Sequence, residues 1–196
     1  MNFHNQRNEQ SNKRNYDEMV HSESYRLFML QKDSNDYATK REGYREDLLS
    51  TIFPEEREAV ESIIVLQFKL QDIAVLKFMN DLTSVDGLSI VEEQYRKWSK
   101  NVIDAPNLAR YLYLHTKKQM YLEDLMEYCL DEKRNHREEA LRSLSEVVMD
   151  LERDEIPQIY EISQLILVKE NDSELLFWAK AIMRKCLNQL GKEEEY

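Results

Sequence analysis

Glu18 and His21, in "EMVH", stand three residues apart, which puts a carboxylate and an imidazole on one face of a helix. A di-iron bundle needs two such Glu-x-x-His motifs and two further carboxylates. The second motif is absent, and with 38 acidic residues one chance match is expected. His136 follows Glu132 by four residues, but that pair straddles an expected loop. No metal ligand is therefore assigned.

Cys129 is the thiol to weigh as a nucleophile, with His115 or His136 as its base. It lies mid-helix between Met126 and Leu130, whereas reactive cysteines favour helix N-termini and electropositive, accessible settings. Cys129 and Cys186 instead read as small buried hydrophobes in a reducing compartment. Gly43, Gly87 and Gly191 are isolated, so the chain lacks a glycine-rich phosphate loop and a dinucleotide fingerprint. It also lacks a G-x-S-x-G elbow. The expectation is no catalytic residue, no cofactor and no enzyme.

The elements that would carry any site are helices. Three glycines and three prolines in 196 residues leave room for long helices and short connections. The expected fold class is all-α, with a flexible tail over 1–15, one helical domain over 16–191 and an acidic end over 192–196. Within it, Tyr16–Gln31 reads as a helix, and Tyr37–Ile52 as a weaker one interrupted by Gly43. Pro54–Leu82 reads as one long central helix, opened by Pro54, with Glu55, Glu56 and Glu58 complementing its dipole. Its apolar residues cover most of the circumference, which predicts burial among other helices. "TSVDGLS" is the clearest loop. Ser89 is expected to cap a helix running through Val102, and Asp104 a helix with Pro106 in its first turn. The remaining helices are expected over Tyr121–Leu130, His136–Leu151, Pro157–Val168 and Ser173–Leu190, with Gly191 as the C-terminal cap.

The last four of these form two similar hairpins. A shift of 39 residues carries Ala140 onto Ala179, Val147 onto Cys186 and Leu151 onto Leu190. A shift of 37 carries Leu122 onto Ile159 and Cys129 onto Ile166. This two-helix unit, read twice over 121–191 and above all in "PQIYEISQLILVKENDSELLFWAKAIMRKCL", resembles the HEAT/armadillo class of repeats. The resemblance implies a stack of hairpins; an irregular bundle around Pro54–Leu82 is the alternative.

Charge narrows the partners. Residues 1–120 carry 17 Lys/Arg and 19 Asp/Glu; residues 121–196 carry 10 and 19. The C-terminal part should repel nucleic acid and anionic membrane and attract basic surfaces. No run reaches the ~18 apolar residues of a membrane helix, and a cytoplasmic location is expected. The expected function is a non-catalytic helical interaction protein that binds another protein or a second copy. One alternative is a ligand-binding or catalytic bundle using Gln67, Gln71 and Asp72. The other is a nucleic-acid-associated regulator using Lys13–Arg14, Lys40–Arg41–Arg45, Arg96–Lys97–Lys100 and Lys117–Lys118 with Tyr37, Tyr44, Tyr95 and Trp98.

Ser173–Leu190 supplies the partner-binding candidates Phe177, Trp178, Ala181 and Arg184. With Ala179 at zero on a helical wheel, Trp178 falls at about −100°, on the edge of the apolar arc. Phe177 falls at about 160°, on the back with Lys180, Ala181 and Arg184. A large aromatic there predicts that something covers it.

Overall fold

A computed structural model describes residues 21–34, 43–98 and 102–191. The expected tail, the acidic end and Glu18 lie outside the described residues. Every element among the described residues is helical, and the all-α class holds. Chain contacts group into two compact units that divide between Gly87 and Leu88.

In the first unit, α1 (Glu23–Asp33) is capped by the Ser22 hydroxyl, which accepts the Tyr25 N–H. A single turn, α2 (Leu48–Thr51), follows, then a 3-10 turn (Pro54–Glu56), α3 (Arg57–Lys69) and a 3-10 segment (Ile73–Asp81). Of the second expected helix only Leu48–Thr51 is helical among the described residues; Gly43 takes a left-handed φ of +68°. The core gathers Phe28, Leu48, Val60, Ile64, Phe68, Val75 and Phe78.

The expected central helix Pro54–Leu82 is not continuous. It ends at Lys69, and the chain turns through Leu70, Gln71 and Asp72. The Asp72 N–H reaches the Gln67 carbonyl and the Gln71 N–H reaches Phe68, both at 2.9–3.0 Å. This is the Schellman pattern, with Gln71 at φ +69° where glycine usually stands. A non-glycine residue there costs on the order of 1 kcal/mol. The Asp72 carboxylate then accepts the Ala74 N–H at 3.1 Å and caps the next segment. Nor is the helix surrounded: Leu66 and Leu70 are exposed.

The expected loop runs only to Asp86. Gly87 already begins α4 (Gly87–Trp98), so Ser89 lies inside that helix rather than capping it, and the helix stops before Val102. A Cβ on Gly87 would stand 1.8 Å from the Met79 carbonyl oxygen. Only glycine permits that approach.

The second unit continues with α5 (Ala105–Thr116), α6 (Gln119–Tyr128), α7 (Arg134–Val147), α8 (Ile156–Lys169) and α9 (Ser173–Leu190). Pro106 sits in the first turn of α5, and Lys117 takes φ +53° just after its end. The helices α6–α7 and α8–α9 pack as the two expected hairpins.

The hairpins meet through α7 and α9, while α5 packs on the other side of α7. Polar contacts fix the direction. Arg134 binds Asp172 at 2.8 Å, Arg142 lies 5.9 Å from the Trp178 ring, and Lys185 donates to the Ser145 carbonyl at 2.6 Å. Partner numbers rise together, so α7 and α9 run parallel. Asn107 to Glu139 and Arg110 to Glu146 set α5 parallel to α7 in the same way. Each of the three carries a fully buried alanine: Ala109, Ala140 and Ala179. A small side chain lets packed helices approach closely. The helices α6 and α8, by contrast, share no contact of this extent. The hairpins join through one layer, and the likeness to HEAT units stays a resemblance.

Candidate functional site

The four candidate residues lie on α9, the last helix of the α5–α7–α9 layer. The helix is sharply bounded. Asp172 accepts the Glu174 and Leu175 N–H groups at its start, and Gly191 closes it at φ +66°. Leu175, Ala179, Ile182 and Cys186 face inward and are wholly buried. That face leaves Phe177 outward, and it is 62% exposed. Trp178 is half-buried, its ring edge-on to Phe177 at 5.3 Å between centroids. Arg142 of α7 covers the Trp178 ring, a cation–π arrangement. Ala181 is half-buried, and Lys180 and Arg184 are exposed.

The four residues therefore fall within about two turns of one helix. The α9 helix is also held firmly. Arg134 reaches Asp172 and Glu174 at its first turn, and Lys185 reaches both the carbonyl and the hydroxyl of Ser145 farther along. An anchored helix presents an aromatic side chain at little entropic cost.

The cysteines are wholly buried. Burial pushes the Cys129 thiol well above its ordinary value and the Cys186 thiol up to about 11. Both stay protonated at neutral pH, which disfavours nucleophilic attack. His115 is exposed; His136 is buried, its Nδ1 at 3.2 Å from Asp131 and its ring edge-on to Tyr128. Among the described residues no group of three or more His, Cys, Asp or Glu side chains is arranged to hold a metal ion.

The described basic residues of the nucleic-acid alternative are engaged locally. Arg45 pairs with Asp47, Arg96 with Glu92, Lys97 with Glu93 and Lys118 with Glu92. Their aromatic neighbours turn inward: Tyr44 is buried, and Tyr95 donates to Asp124 at 2.6 Å. Lys13, Arg14, Tyr37, Lys40, Arg41 and Lys100 lie outside the described residues.

Two carboxylates that the sequence reading left on the surface or unremarked are buried. Glu56 accepts the Ser22 N–H and hydroxyl, the Phe53 N–H and a bond from His21. Glu61 is completely enclosed. It accepts from Arg57, from the hydroxyls of Thr83 and Ser84 and from both of their backbone amides. Burial works against its charge, yet these donors overcome that and hold its pKa at about 2. Both residues tie segments together, and neither is among the residues that line the cavity beside Tyr44. Sequence carried one clue for Glu61: it stands three before Ile64 and seven before Phe68, on the buried stripe.

Of the ligand-site candidates, Gln71 faces water, while Gln67 and Asp72 are half-buried and line a cavity with Tyr44. Comparison of the chain with protein-family models, with curated proteins and with solved structures returns no match.

Proposed function

We propose that this protein is a non-catalytic helical interaction protein, an adapter, inhibitor or assembly factor, which binds another protein through the outer face of α9. The observation that carries this reading is Phe177. It is a large aromatic, 62% exposed, on the free side of the last helix in a packed layer. A terminal helix of a stacked array ordinarily turns a polar back to water. Here the back holds Phe177 beside small Ala181, with the Trp178 ring at its edge, an aromatic set typical of binding hot spots.

Charge at the patch differs from charge over the half. The C-terminal part carries 10 basic against 19 acidic residues, which favours a basic partner at long range. Next to Phe177, however, stand Lys180 and Arg184, which favour a partner that is acidic where it touches α9. A reducing, cytoplasmic compartment suits two buried free thiols. No helix among the described residues is long and apolar enough to cross a membrane.

The test is affinity purification from the native host of the wild type and of Phe177→Asp in parallel, with amounts measured by mass spectrometry. One partner at near-equal amount, lost with Phe177→Asp while the variant keeps its helical circular dichroism, is the expected result. A partner retained in full by a folded Phe177→Asp protein removes the α9 assignment.

A further inference from the structure

The turn that interrupts α3 and the following 3-10 segment opens onto a cavity of about 350 Å³ inside the first unit, the size of small-molecule sites. Its walls are polar. Gln31 and Lys32 come from the end of α1, Tyr44 from the segment after Gly43, and Gln67, Gln71 and Asp72 from the end of α3 and the turn. Gly43 and Gln71, both at positive φ, line it together. Backbone held in such conformations by its surroundings gathers at ligand sites.

Asp72 is the chemical centre of this cavity. One carboxylate oxygen accepts the Ala74 N–H at 3.1 Å and the other the Tyr44 hydroxyl at 2.7 Å. Both donors are neutral. A carboxylate offers about four acceptor positions, so two remain. Among the described residues Asp72 makes no ion pair; the Lys32 ammonium, on the same cavity wall, is bound to Asp33 instead. Gln67 makes no side-chain hydrogen bond among the described residues, and Gln31 spends its amide nitrogen on the Gly43 carbonyl at 2.9 Å, which leaves its oxygen as an acceptor. The Tyr44 ring is fixed between Phe28 and Phe78, so the hydroxyl that orients Asp72 is held in place.

The cavity therefore offers an anionic acceptor and amide oxygens, with no cation on Asp72 among the described residues. A primary ammonium group supplies the missing complement, one positive charge and three N–H donors. We propose that this cavity is a binding site for a small organic primary amine in its ammonium form, seated on Asp72 and Gln67. This site lies in the first unit and does not depend on the α9 reading.

The experiment is a two-dimensional amide NMR titration of the full chain with ethanolamine and 1,4-diaminobutane, and with tetramethylammonium and acetate as comparisons. Saturable shifts centred on Tyr44, Gln67, Gln71 and Asp72 are expected with the primary amines. Tetramethylammonium, which has the charge but no N–H, should bind at least about tenfold more weakly, because bonds to charged groups are strong. Asp72→Asn keeps one oxygen for the Ala74 N–H, sets an NH2 group against the Tyr44 hydroxyl, which can turn to accept from it, and removes the charge; it should weaken amine binding by about tenfold or more. If that variant does not fold, Gln67→Met serves, with a several-fold loss expected. The proposal is overturned by shifts that spread over the acidic surface without saturating, by tetramethylammonium binding as well as the amines, or by amine binding that survives in the folded variant.

Discussion

Glu61→Gln should cost the first unit most of the stability that its buried carboxylate supplies. The wild-type carboxylate is wholly enclosed and accepts from Arg57 and from the backbone and hydroxyl groups of Thr83 and Ser84. Its pKa falls from 4.5 to about 2 on folding, because those bonds outweigh the desolvation that opposes them. At ~1.4 kcal/mol for each tenfold in proton affinity, the difference contributes roughly 3 kcal/mol at neutral pH. The sign follows from the direction. The folded pKa is depressed, so the contribution is complete above 4.5 and is lost as pH falls through about 2. A glutamine keeps one acceptor oxygen but aims an NH2 group at donors, which leaves buried groups unpaired. Both tryptophans, Trp98 and Trp178, lie in the second unit, so their fluorescence does not report this change. Native-state amide exchange of peptides from α3, read by mass spectrometry, does. The expected result is a loss on the order of 3 kcal/mol in α3 protection at pH 7, with a much flatter dependence between pH 4.5 and 2 than in the wild type. Protection within about 0.5 kcal/mol of wild type, or an unchanged acid dependence, would refute the reasoning.

Gly87→Ala places a methyl group 1.8 Å from the Met79 carbonyl oxygen; backbone must move, and a thermal melt should show a destabilisation of a few kcal/mol. Leu144→Ala, at a fully buried site on α7, should cost about 2–5 kcal/mol by urea denaturation, whereas Val168→Ala at an exposed position should change little. Cys129 and Cys186, wholly buried and with raised thiol pKa values, should resist a thiol-specific chromogenic reagent in the native protein and react fully in denaturant; rapid native labelling would contradict their burial.

Much of the second unit was legible in the sequence. Ser173–Leu190 matched to the residue because Asp172 caps one end and Gly191 the other, and because its apolar positions keep a helical period. The 39-residue shift set Ala140 on Ala179 and Val147 on Cys186, and all four are fully buried, but the parallel packing of α7 on α9 was not read from the sequence. The third member of that layer was missed. Asn107 to Glu139 and Arg110 to Glu146 are 32 and 36 apart, so α5 follows no common spacing with α7 and α9. The break at Leu70–Asp72 was also hidden. Helices usually stop at Gly or Pro, but here a glutamine takes the left-handed position and Asp72 restarts the chain. The one local signal is an aspartate just before the apolar run from Ile73 to Met79, which is a cap position. Glu56 and Glu61 looked like ordinary acidic residues near a helix start, since most of their partners, apart from Phe53 and Arg57, lie 22 to 35 residues away. On α9 the wheel separated Trp178 from Phe177 correctly, because that distinction depends only on the 3.6-residue period.

The most direct test of the α9 reading is site-specific photocrosslinking in the native host, with a benzophenone side chain in place of Phe177 and, as the comparison, in place of Leu66. Leu66 is also an exposed apolar residue but belongs to the first unit. A single discrete adduct from position 177 and none of the same mass from position 66 is the outcome expected of a partner seated on α9. No adduct from position 177, or the same adduct from both positions, would contradict it.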